Sequence, residues 1–135
     1  MDALAGGGST THPRILLVDG ANVVGSRPDG WWRDRAGAAA RLHGRLAVAD
    51  TSYDEIVLVL EGKAKAGVPH GRDAHLRTVH ATRDGDAAIV KEAAASRERG
   101  HEVVVITADR ALVQRVESLG CRTMSPGWLL ALIDR

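Results

Sequence analysis

The stretch Arg14-Ile15-Leu16-Leu17-Val18-Asp19-Gly20-Ala21-Asn22 constrains this chain more than any other. Ile15 through Val18 is apolar without interruption. That suits a strand buried on both faces, and such strands belong to parallel sheets covered by helices. The run stops at a carboxylate followed by glycine, so a charged group and then an amide arrive at the strand's carboxyl end. That edge is where α/β proteins keep their ligands. A second run, Val103-Val104-Val105-Ile106, ends in the same way at Thr107-Ala108-Asp109.

Between these runs two hydrophobic periods alternate. Strands are expected at Ile15–Val18, Glu55–Leu60, Leu76–Ala81, Val103–Ile106 and Cys121–Met124. Helical stripes are expected over Asp34–Ala49 (Ala38, Leu42, Leu46), Asp86–Arg99 (Ile89, Val90, Ala93, Ala94) and Arg110–Leu119 (Leu112, Val116, Leu119). Ser125-Pro126 opens a last helix through Ile133, as an N-cap followed by proline. Parallel strands need crossover connections, so the expected fold is α/β, with a mostly parallel central sheet of about five strands covered on both faces.

The chain of 135 residues suits one domain, residues 14–135, behind a Gly/Ser/Thr-rich segment 1–13 expected to be a flexible tail. With no Phe, one Tyr and three Trp, the core must be aliphatic. Eighteen Lys and Arg against 17 Asp and Glu leave a formal charge of +1, so an anionic partner would have to be drawn by local patches. Asp2 and the missing apolar h-region argue against a signal peptide, and no run approaches a membrane span. Cys121 is the only cysteine and reads as a packed core thiol; a reducing, cytoplasmic setting is expected.

In a parallel sheet the carboxyl ends share one edge, which would gather Asp19 and Asp109 with Glu61, the residue after the second strand. Asp84 and Asp86 open a helix that begins on the same side. Such carboxylates repel one another unless something neutralises them. An all-oxygen set favours Mg²⁺ or Mn²⁺, whereas the spacing of a zinc site is missing. A cation held at an open edge binds phosphate oxygens and orients water, which suits phosphodiester hydrolysis. Asp19, Asp86 and Asp109 are the leading metal ligands, with Asp84 and Glu61 as further candidates. Asn22 would position a phosphate or water, and Thr107 would support the ligands. Each has a plainer role open to it: aspartates cap helices and turns, Asp86 being the best-placed cap, and Asn22 and Thr107 satisfy backbone.

From Lys63 to Arg83 the chain carries Lys63, Lys65, Arg72, Arg77 and Arg83 with three histidines against Asp73 alone. Gly67, Pro69 and Gly71 suggest that its first half is a mobile loop. Positive charge beside an acidic cleft is what a phosphate backbone requires, although a solvated basic loop would look the same. Histidines five residues apart share no helical face and do not read as a zinc site. Trp31-Trp32-Arg33 could stack on unpaired bases; one of the two tryptophans is expected to be buried and one exposed. Trp128 reads as core or interface.

The motifs Val18-Asp19-Gly20-Ala21-Asn22-Val23-Val24-Gly25, Asp86-Ala87-Ala88-Ile89 and Ile106-Thr107-Ala108-Asp109-Arg110-Ala111-Leu112 resemble the NYN domain family, PIN-like ribonucleases, and within it the YacP-like branch. The resemblance runs from Arg14 to Ile133. It implies a Rossmann-like, PIN-type three-layer α/β/α sandwich, dependence on Mg²⁺ or Mn²⁺, and RNA cleavage leaving 5′-phosphate and 3′-hydroxyl ends; the expected enzyme is an endoribonuclease acting on single-stranded RNA, with exonucleolytic trimming left open. It maps the acidic ligands onto Asp19, Asp86 and Asp109 and the neighbouring amide onto Asn22. Asp84-Gly85-Asp86 stands where relatives often carry adjacent aspartates, and Glu61-Gly62 where they often carry Asp-Gly. RNA is the expected partner; a homodimer and an RNA-delivering protein both stay open. The alternative is a non-catalytic RNA-binding or interaction module on the same fold. A P-loop is missing, and a receiver domain would not explain Asp-Gly-x-Asn.

Overall fold

The computed structural model describes residues 12–134, so all of the expected tail except residues 12 and 13 lies outside the described residues. Its sheet begins with β1 (Arg14–Asp19), which leads directly into α1 (Gly20–Gly25). A short 3-10 helix, Trp31–Arg33, precedes α2 (Arg35–Val48) and β2 (Glu55–Leu60). A second 3-10 helix, Gly62–Gly67, then leads to β3 (Gly71–Asp73) and β4 (Leu76–His80). The remaining elements are α3 (Gly85–Glu98), β5 (Glu102–Ile106), α4 (Arg110–Glu117), β6 (Arg122–Met124) and α5 (Pro126–Ile133).

The sheet has six strands in the order β3-β4-β2-β1-β5-β6, parallel except for the β3–β4 pair. The extra strand is β3, which falls where a mobile loop was expected. Gly67 makes the difference: a Cβ there would overlap the Ala36 carbonyl, so glycine lets the 3-10 helix lie against α2, and Val68 is buried beyond it. The chain thus returns along the sheet edge as an antiparallel strand.

β1 is buried on both faces, as its unbroken apolar run requires, and its side chains alternate between two cores. Leu16 and Val18 join Ala39, Leu42 and Leu46 of α2, Val23 of α1 and Leu129 of α5. Ile15 and Leu17 join Ile89 and Ala93 of α3, Leu112 and Val116 of α4, and Cys121. The result is the three-layer α/β/α sandwich. Its order of connection reverses at β1: the chain passes through β2 and β4 on one side, then crosses to β5 and β6 on the other. That switch point opens a crevice between the carboxyl ends of β1 and β5.

Gly20 is required by this geometry. A Cβ there would stand 2.5 Å from the Val59 carbonyl oxygen and 2.9 Å from Leu60 Cδ2. Only glycine allows α1 to start at the end of β1 while pressed against β2.

Candidate active site

Asp19 ends β1 and is 5% exposed. Its side chain caps α1, with Oδ1 accepting the Asn22 backbone N–H at 3.3 Å, while Oδ2 accepts the Thr107 hydroxyl at 2.9 Å. Thr107, also buried, follows β5, and its oxygen accepts the Asp109 N–H at 3.2 Å. Asn22 reaches across the same crevice, its Oδ1 accepting the Ala108 N–H at 2.9 Å. Its Nδ2 group has no hydrogen-bond partner among the described residues, which leaves two donors at the mouth.

The other carboxylates stand on neighbouring elements of the same edge. Glu61 follows β2, and its Oε1 accepts the Gly85 N–H at 2.9 Å. Asp84 is exposed and caps α3 by accepting the Ala87 N–H at 2.9 Å. Asp86, in the first turn of that helix, is half-buried and does not cap it. The cap expected at Asp86 therefore belongs to Asp84, because the helix begins one residue earlier, at Gly85. Asp109 caps α4, accepting the Leu112 N–H at 3.1 Å.

Burial pushes the Asp19 carboxyl above its ordinary value; the bonds from Thr107 and Asn22 oppose this, and the charges of Asp86 and Glu61 add to it. Partial burial likewise raises Asp86, reinforced by Asp109, Asp84 and Glu61 and opposed by Arg115. Asp86 is thus the common neighbour of the whole set. Arg115, on α4, is the one contributor that the sequence motifs did not suggest; its place two turns below Asp109 is legible only once α4 is set beside α3.

Among the described residues, no three His, Cys, Asp or Glu side chains stand close enough to hold a metal ion as placed. The donors nonetheless suit a hard cation in kind. All are carboxylates, and burial and neighbouring negative charges make those of Asp19 and Asp86 costlier to ionise, a cost that a divalent charge offsets.

The five basic residues divide. Lys63, Lys65 and Arg83 follow β2 or β4 at the carboxylate edge, and Lys65 Nζ donates to the Ala81 carbonyl at 3.0 Å. Arg72 and Arg77 lie opposite each other on the β3–β4 hairpin, and Arg77 aligns with Val57 near the start of β2. Both pair with Glu55, and Arg77 Nη2 also donates to Glu92 at 2.7 Å, so they are not brought to the carboxylates. Of the tryptophans, Trp32 is the exposed one and Trp31 is half-buried. Trp128 packs against the α2 side of the core.

The architecture is that of a PIN-like α/β/α domain. Within that class the chain is similar to the crystal structure of a mutant Rae1 (YacP) from Bacillus subtilis, with a TM-score of 0.67 and 22% sequence identity over 90% of this chain and 75% of that one. No family profile and no curated protein sequence matches the chain. No helix among the described residues is long and apolar enough to cross a membrane.

Proposed function

We propose that this protein is a metal-dependent endoribonuclease that hydrolyses phosphodiester bonds of single-stranded RNA at the carboxyl edge of its sheet. The observation that carries the reading is a buried, doubly hydrogen-bonded Asp19 whose carboxyl is made costlier to ionise by burial and by the charges of Asp86 and Glu61. Carboxylates perturbed by burial and by one another cluster at functional sites. The NYN-like motifs and the Rae1-like fold support the same reading.

Asp19, Asp86 and Asp109 would hold Mg²⁺ or Mn²⁺, with Glu61 or Asp84 completing the set. The cation would draw phosphate oxygens to the acidic edge and polarise the attacking water. Thr107 fixes the Asp19 carboxylate, and the free Asn22 amide donates to a phosphate oxygen. Water would attack phosphorus in line and give up one proton to solvent, the P–O3′ bond would break, and the 3′ oxygen would take one proton back from solvent and leave as a hydroxyl. Lys63, Lys65 and Arg83 flank the edge and offset the repulsion between carboxylates and phosphates.

The carboxylates do not converge as placed, which favours a second reading: an RNA-binding module without catalysis. Incubating a labelled single-stranded RNA with Mg²⁺, Mn²⁺ or chelator separates the two. The enzyme cuts only with metal, whereas the module binds RNA equally in all three and leaves it intact.

A further inference from the structure

Trp31 and Trp32 have no role in the core. Neither belongs to the two apolar clusters, and Trp32 is 54% exposed; the only other large apolar side chain as open among the described residues is Val48. The 3-10 helix holds the two rings edge to face, with centroids 6.0 Å apart and planes at 88°. The Arg33 guanidinium lies over the Trp32 ring at 5.8 Å, and that of Arg35 over Trp31 at 5.3 Å. Trp31 also lines two openings at the carboxylate edge: one reaches Asn22 and Ala108, the other Gly20 and Glu61. An aromatic pair flanked by cations therefore stands at the mouth of the acidic site.

We propose that this pair is a base-stacking subsite for one unpaired nucleotide of the RNA, resting on the ribonuclease reading given above. The exposed Trp32 ring takes the base, and Arg33 and Arg35 meet the adjoining phosphates. Stacking needs a free base face, which paired RNA does not offer, so the subsite selects unpaired segments rather than a sequence. The arginines suit this occupant because a bound strand brings both a π face and negative charge within their reach.

The test is binding of a labelled single-stranded oligoribonucleotide in chelator, repeated with an abasic site at each position in turn. Trp32→Ala should weaken binding by about 5- to 100-fold while leaving Tm unchanged, and Trp32→Phe should restore most of it. One abasic position should cost the wild type that same factor and cost Trp32→Ala nothing further. Unchanged binding by Trp32→Ala, or a loss unrelated to any abasic position, overturns the subsite. Metal-dependent cleavage of the same oligonucleotide separates the two readings. Cleavage with no effect at Trp32 sinks the subsite alone, and coupled binding without cleavage supports the subsite and sinks the nuclease. A wild type that binds no RNA ends both.

Discussion

The Thr107 hydroxyl donates to the Asp19 carboxylate at 2.9 Å in a buried bond between residues 88 positions apart. The same oxygen accepts the Asp109 N–H, so one threonine sets how two strand-end acids sit relative to each other. The bond crosses the switch point, where β1 and β5 are neighbours but their connections lead to opposite sides of the sheet. A hydroxyl is the group needed, since it gives a proton to one acid and accepts one from the backbone of the other.

Thr107→Val keeps the shape of the side chain and removes both bonds. Stability should fall by about 1–3 kcal/mol, because buried partners are left unpaired. The Thr107 bond holds the Asp19 carboxyl down against burial, so its loss raises that carboxyl further. Cleavage that needs ionised Asp19 should then lose its acid limb at a higher pH than in the wild type, and Thr107→Ser should restore it. A pH–rate profile whose acid limb does not move would show that Asp19 is not the titrating group.

Asp19→Asn should abolish metal-dependent cleavage yet shift Tm by no more than about 5 °C, since a lost hydrogen bond is offset by the removal of a buried charge. The sign follows from linkage. The folded chain holds the Asp19 proton more tightly than the unfolded chain, whose value is near 3.8. This group's contribution to stability is fully present below 3.8 and is lost as pH rises through the raised folded value. At neutral pH the ionised carboxylate is therefore a cost that asparagine does not carry. Mn²⁺ should raise the wild-type Tm, by about 2.7 kcal/mol of stability at a hundredfold excess over Kd, and leave the variant flat. Full activity in Asp19→Asn would remove Asp19 from the chemistry.

The strand-end logic of Asp19 and Asp109 was legible because an unbroken apolar run has one simple home, a central parallel strand, and its carboxyl end has one location. The helical stripes were legible for the same reason: Ala38, Leu42 and Leu46 recur at helical spacing and are all buried. α1 was hidden because Gly20-Ala21-Asn22 looks like a turn; what makes it helical is the Asp19 cap and a close approach to β2 that no local pattern encodes. The segment after Glu61 misled in the opposite direction. Its glycines signal freedom, but at Gly67 the missing side chain serves close packing against Ala36. Arg72 and Arg77 read as unpaired cations in sequence because their partners, Glu55 and Glu92, come from other elements.

Asp84 and Asp86 should separate cleanly. Asp84→Ala removes the α3 cap and should cost about 0.5–2 kcal/mol while sparing cleavage. Asp86→Asn removes the charge that Asp109, Asp84 and Glu61 all oppose, so apo stability at neutral pH should hold while cleavage and the Mn²⁺-dependent rise in Tm disappear. Thermal melts with and without Mn²⁺, alongside cleavage assays, decide this; the reverse pattern would make Asp84 the ligand.

The basic residues should divide as their positions do. Replacing Lys63 and Arg83 together with Ala should weaken RNA binding and flatten the salt dependence by about 0.7 per lost contact. Arg77→Ala should instead leave the slope unchanged and cost about 1–3 kcal/mol, chiefly through the stranded Glu92, since Glu55 keeps Arg72. Salt titrations of binding and urea midpoints read the two effects separately. A slope that responds to Arg77 and not to Lys63 and Arg83 would put the RNA on the hairpin.

Gly85 offers a way to move Glu61 without changing it. A Cβ at Gly85 would lie 2.5 Å from Glu61 Oε1, the far end of a flexible side chain, so Gly85→Ala should push the carboxylate aside rather than disrupt the backbone. Alanine suits the first turn of a helix, and stability should stay within about 1 kcal/mol of the wild type. If Glu61 acts on the cation from its present pose, Gly85→Ala and Glu61→Gln should each lower cleavage by about 10- to 100-fold. The double variant should then be no worse than either single one, because both remove the same interaction. Additive losses would mean that Gly85 matters through its own backbone N–H. Full activity in both would leave Glu61 as no more than the partner of that N–H at the start of α3.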